Sequence, residues 1–108
     1  MSPPGGRDNR QYERVALESR NVWNISEGGA YIINKNPRST GSILQFEYRL
    51  EHVNKTFKAL ARVVRTLYRP NPKTGEPAGM AIQFIKISEK DRELLQEYLK
   101  KTKPPPTG

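Results

Sequence analysis

Cysteine is absent from this chain of 108 residues, and histidine occurs once, at His52. The first absence excludes a disulfide framework and a thiolate metal site. The second leaves no multi-histidine metal site; His52 falls in a polar connection, where a surface role takes precedence over catalysis or ligation. Carboxylates do not fill the gap, because Asp8, Glu13, Glu18 and Glu27 are scattered without the spacing of an acid–base pair. No catalytic residue, metal or cofactor is assigned, and the chain does not read as an enzyme. Also missing is any apolar run near the roughly 20 residues of a membrane span. The opening Met1-Ser-Pro-Pro-Gly-Gly-Arg7 holds no apolar segment of the secretory kind. The expectation is a cytoplasmic domain without membrane insertion. Apolar residues are scarce too, at 34% with a mean hydropathy of -0.82. A chain of this length and composition makes one domain around a modest core, which has to be well patterned.

Positive charge, by contrast, is plentiful. The formal net charge is +8, and residues 21–85 contribute most of the excess, with nine basic residues against four acids. Such a surface favours anionic partners: nucleic acid, anionic lipid or a phosphate-bearing small molecule. It also serves plain solubility, and charge alone does not choose between these.

The apolar residues follow a strand period. In Ile43–Leu50, Leu44, Phe46, Tyr48 and Leu50 fall on one face, with Gln45, Glu47 and Arg49 on the other. Phe57–Tyr68 repeats the pattern with Phe57, Ala59, Ala61, Val63 and Leu67, and Gly79–Ile87 does so with Met80, Ile82 and Phe84. Val22–Asn24 and Ala30–Ile33 make shorter strands around a turn at Gly28-Gly29. Residues 34–41 and 70–77 carry the proline and glycine of loops. Ser88 and Asp91 form a capping-box pair at the start of a helix whose apolar stripe is Leu94, Leu95, Tyr98 and Leu99, and Pro104 stops it. A stripe so narrow suits packing on a barrel rim better than insertion in a membrane. The fold class expected is mainly β: a small antiparallel β-barrel of five to six strands with a C-terminal α-helix. Residues 1–9 read as a flexible segment, 10–102 as the domain and 103–108 as a disordered tail.

Two short motifs stand out. Arg10-x-x-x-Arg14 supplies two cationic forks, and Asn24-x-Ser26-x-x-Gly29 follows. Arg pairs bidentately with phosphate and stacks on flat rings, which Lys does not. Asn24 and Ser26 are two apart and share a side of an extended segment. Gly28 and Gly29 permit a turn with positive φ and close approach of a ring to the backbone. Together these groups suit gripping a small, flat, anionic ligand. Each motif alone is weak: Arg65 and Arg69 repeat the Arg spacing at a strand end with no such turn after them, and hairpins favour Asn, Ser and Gly anyway. Trp23, preceding Asn24, faces the other way on a strand, and core packing is its default over base stacking. Tyr12 is open to packing on the barrel or on a purine.

The order of the motifs and the strands after them resemble the PilZ family of bacterial cyclic di-GMP receptors. The family pairs an R-x-x-x-R segment before the barrel with a (D/N)-x-S-x-x-G motif on it, and Arg10, Arg14, Asn24, Ser26 and Gly29 match these positions. Gly41-Ser-Ile-Leu-Gln-Phe, Ala61-Arg-Val-Val-Arg65 and Gly79-Met-Ala-Ile-Gln-Phe84 are similar to the family's strands. The resemblance implies that cyclic di-GMP is bound by Arg10, Arg14, Asn24, Ser26, Gly28 and Gly29, with the Arg segment folding over it. Each guanine presents N7 and O6 as paired acceptors, which an Arg fork meets with two hydrogen bonds. The spacing departs from the family pattern: nine residues separate Arg14 from Asn24. The first strand is therefore short or runs directly into the motif strand, and Arg7, Tyr12 and Arg20 become auxiliary contact candidates.

Three functions are carried forward. The first is a non-enzymatic cyclic di-GMP receptor whose closing Arg segment alters a surface shown to a protein partner, as in motility or biofilm control. The second is a PilZ-like interaction module in motility or pilus control with weak or no nucleotide binding. The third, a basic single-strand nucleic-acid binder, ranks last because the alternating pattern buries most aromatics that would stack on bases.

Overall fold

The computed structural model describes residues 12–50 and 54–102. These residues form six strands and one α-helix: β1 (Glu13–Leu17), β2 (Val22–Ile25), β3 (Gly29–Ile33), β4 (Ile43–Leu50), β5 (Lys55–Leu67), β6 (Gly79–Lys86) and α1 (Glu89–Thr102). The expected flexible segment 1–9, the tail 103–108 and His52 lie outside the described residues. The strands make one sheet in the order β1-β4-β5-β6-β3-β2, curled into a half-barrel. Every pairing is antiparallel except β1 with β4, which is parallel.

The alternation read in β4 places Leu44, Phe46, Tyr48 and Leu50 inside, all buried. Across the β4–β5 ladder, Leu44 and Phe46 stand opposite Ala61 and Ala59. Large against small leaves room for the inner face to curve on itself. Phe46, Phe57 and Phe84 fill the centre with ring centroids 5.3–6.1 Å apart. Burial of each such side chain contributes roughly 1.5–3 kcal/mol. Helix α1 covers this core with Leu95 and Tyr98. The Tyr98 ring meets Tyr48 edge-on at 5.9 Å, and the two hydroxyls are hydrogen-bonded at 3.1 Å.

The cap of α1 is as the sequence implies on one side and different on the other. Asp91 N–H donates to Ser88 Oγ (3.1 Å), and the Ser88 hydroxyl donates to the Asp91 carboxylate (2.8 Å). The other Asp91 oxygen accepts from the Lys58 backbone N–H (3.2 Å), so the cap also fastens the helix to β5.

Strand parity fails at one point in β5. Val63 pairs with Ile82 but Arg65 pairs with Ala81, so Val64 is an extra, exposed residue. The bulge reverses the alternation after it. Thr66, not Leu67, stands opposite the fully buried Met80, and the expectation that Leu67 joins the inner face is corrected.

The curl has a cause in chain length. A flat six-stranded sheet would separate its edge strands, β1 and β2, by five spacings, about 24 Å. Leu17 and Val22 are joined by residues 18–21 alone, and five extended Cα steps reach about 17 Å. Part of that link is wound into a 3-10 turn, Ser19–Asn21, closed by Asn21 N–H to Glu18 O (2.9 Å). The two edges must therefore approach each other. Followed through the pairings, β1 and β2 run in the same sense, so the chain passes from one edge to the other without a hairpin. The first strand is short, and it reaches the motif strand through this 3-10 link instead of running directly into it.

Candidate ligand site on the edge strand

Strand β2 and the turn after it carry the Asn24-x-Ser26-x-x-Gly29 motif. Ser26 is the clasp of that turn: its N–H donates to Gly29 O (2.8 Å), its hydroxyl donates to the same oxygen (3.3 Å), and Gly28 N–H donates to Ser26 Oγ (3.3 Å). The positive φ expected at Gly28 and Gly29 is absent; among described glycines only Gly41 and Gly75 have it. What Gly29 provides is close approach. A Cβ there would stand 2.1 Å from the Ile82 carbonyl oxygen of β6, whereas one at Gly28 would meet nothing within 4 Å. Gly79 mirrors Gly29 at the other end of the β3–β6 ladder, its Cβ position 2.0 Å from Ile32 O.

Trp23 is not in the core. Val22 pairs with Ile32 and Asn24 with Tyr31, which leaves Trp23 as the extra residue of a bulge. Val22 and Ile25 keep the inner side, and Trp23 is 49% exposed. The default reading of Trp23 as a packing residue is corrected, and the bulge is the reason.

Edge strand β2 forms a ridge between two concavities, and Asn24 and Ser26 line both. One, of about 790 Å³, lies between β2 and α1. The other, of about 510 Å³, lies over β3, β5 and β6 and includes Gly28, Gly29 and Arg65. Arg65 reaches it from the outer face of β5, held by Glu76 at 2.8 Å, with its guanidinium 5.5 Å from the Tyr31 ring centroid. Tyr31 is buried, and its hydroxyl donates to Pro77 O (2.7 Å). Burial and the Glu76 charge push that phenol's pKa up, against Arg65. The sequence had set Arg65 aside as a chance repeat of the Arg spacing. Its place on the concavity that Asn24 also lines comes from pairing across β6 and β3 and leaves no local signal.

Arg14 lies elsewhere. It belongs to β1, at the opposite end of the strand order from β2. Its Nε donates to Glu47 Oε2 (3.1 Å), which also accepts from Gln45 (3.2 Å); Glu47 is nearly buried, Arg14 largely exposed. Arg20 sits in the 3-10 link, 3.6 Å from Glu18, and lines a small separate recess with Arg49. Tyr12 is exposed. Arg7 and Arg10 lie outside the described residues. Among the described residues no group of three or more His, Cys, Asp or Glu gathers as a metal site needs. No helix there is long and apolar enough to cross a membrane.

A sequence profile of the PilZ domain matches residues 8–101. The chain belongs to the PilZ domain family. No curated protein matches it. PilZ domains bind cyclic di-GMP and act as non-enzymatic binding and effector domains. In this PilZ domain the turn motif divides its labour: Ser26 and Gly29 build the hairpin, while Asn24 and the outer side of Ser26 face the two concavities.

Proposed function

We propose that this PilZ domain is a receptor for cyclic di-GMP, bound along the β2 ridge. Asn24, Ser26, Gly28 and Gly29 supply the contact edge, and Arg14 and the segment before it, with Arg10, supply cations. Arg7, Tyr12 and Arg20 are auxiliary candidates. The observation that carries the reading is the exposure of Asn24 and Ser26 at the junction of two concavities, one of which holds Arg65. Arg65 is held by one carboxylate, Glu76, which a phosphate or the O6/N7 edge of guanine can replace. Arg14 likewise exchanges Glu47 for the ligand. Movement of β1 toward the ligand then changes the surface offered to a downstream protein partner.

A second reading is an interaction module with little nucleotide affinity. It is favoured by Arg14 being bonded to Glu47 on the edge opposite Asn24. Calorimetry with cyclic di-GMP, against GTP and cyclic di-AMP, separates the two. Selective binding in the micromolar range or tighter, weakened by Asn24→Ala and by Arg14→Ala, supports the receptor. Absence of heat supports the module, and undiminished affinity in Arg14→Ala removes that residue from the mechanism.

A further inference from the structure

The concavity between β2 and α1 is lined by Asn24 and Ser26 but by neither Arg14 nor Arg65. Its walls are flat and apolar: Trp23 from the bulge, and Tyr98 and Leu99 from the helix. Its polar lining includes the carboxylate of Glu27, the amides of Asn24 and Gln96, the ammonium of Lys100 and the hydroxyl of Ser26, beside the tyrosine hydroxyls. A domain with a modest core gains nothing by leaving its single tryptophan half in water, and the bulge that places it there keeps Val22 and Ile25 inward. This lining suits a guanine nucleotide. A guanine has two faces for stacking between aromatic and aliphatic walls. Its N1–H and N2–H form a donor pair that one carboxylate accepts, while O6 accepts from an amide. A phosphate attached through the ribose meets an ammonium. Adenine has no such donor pair on the same edge.

We infer that this cavity is a guanine slot, with Trp23 as the stacking platform, Glu27 accepting from N1–H and N2–H, and Lys100 pairing with a phosphate. The inference rests on the cyclic di-GMP reading, because Asn24 and Ser26 line this cavity too, and it deepens that reading by bringing α1 into the ligand site. It also assigns Glu27 the negative charge that Asn24 lacks where the family pattern allows Asp.

Trp23 is the only tryptophan, so its emission reports this cavity alone. Cyclic di-GMP is titrated into the whole chain while heat and emission are followed in parallel, then into Trp23→Leu, Trp23→Phe and Glu27→Gln. Wild-type emission is expected to change with the midpoint of the heat. Affinity is expected to fall about tenfold in Trp23→Leu and to return largely in Trp23→Phe, which keeps an aromatic face. Glu27→Gln is expected to narrow the preference for cyclic di-GMP over cyclic di-AMP. Heat with unchanged emission, together with unaltered affinity in Trp23→Leu, would overturn the guanine slot and leave the receptor reading standing. Absence of heat in the wild type would overturn both.

Discussion

Alanine at Gly29 and alanine at Gly28 are substitutions of equal size at neighbouring positions of one motif, and they should part company. At Gly29 the new Cβ would lie 2.1 Å from Ile82 O, 3.2 Å from Ile82 C and 3.3 Å from the Gln83 Cα. Ordinary carbon–oxygen contacts begin near 3.3 Å, so β3 and β6 would have to part by about 1 Å at this end. The obstacle is backbone, which no rotamer change relieves. Overpacking of this sort costs about 1–3 kcal/mol. Strain on the neighbouring bonds Ser26 N–H to Gly29 O and Phe84 N–H to Gly28 O adds about 0.5–1.5 kcal/mol for each one weakened. We expect about 2–4 kcal/mol in all, a fall in Tm of roughly 10–25 °C for a domain of this length. Gly28 has open space around it and a φ outside the left-handed region, so Gly28→Ala should stay within about 0.5 kcal/mol. Urea unfolding followed by far-ultraviolet circular dichroism reads both. Coincident midpoints for Gly29→Ala and the wild type, at equal slope, would refute the close-approach argument.

Three further outcomes follow from the contacts described. Tyr98→Phe removes the buried hydroxyl pair with Tyr48 and should lower stability by about 1 kcal/mol in thermal unfolding. Arg14→Ala leaves Glu47 with the Gln45 amide and, given how exposed Arg14 is, should cost about 1 kcal/mol or less in the ligand-free domain, measured by urea titration. Glu13 is held below the ordinary carboxylate range by its hydrogen bond from Arg38, with burial opposing and the Arg38 charge adding to it. Because its folded pKa is depressed, the pair contributes stability above the unfolded value, near 4.3, and loses it as pH falls through the folded value. Glu13→Gln should therefore flatten the acid limb of Tm against pH, and an unchanged limb would count against the pair.

Strand positions were readable because one face of each strand is buried, so alternation in Leu44–Leu50 and Met80–Phe84 reports the core directly. It stopped being readable wherever a bulge added a residue. Trp23 and Val64 are such residues, and each shifts the parity of its surroundings; that is why Trp23 and Leu67 were placed on the wrong side. The helix was legible from Ser88, Asp91 and the Leu95–Tyr98 stripe, since caps and helical period are local. The turn motif was legible as a motif, but its inner logic was not. That Gly29 serves packing against β6 while Gly28 does not is a fact about a strand some fifty residues away. Arg65 shows the same limit, as does the parallel pairing that holds Arg14 on β1.

The four-residue link between β1 and β2 makes a number of residues, more than their identity, the determinant of how far apart the two edge strands stand. It works as a ruler laid across the gap between the sheet's two edges. Lengthening residues 18–21 adds little closure entropy, about 0.6 kcal/mol for each doubling of the loop. It would nevertheless release the edges from their enforced approach, letting the half-barrel relax and the distance between the Arg14 edge and the Asn24 edge grow. Insertions and deletions at this one turn thus offer a way to change the separation of the two edges without altering a residue of either strand.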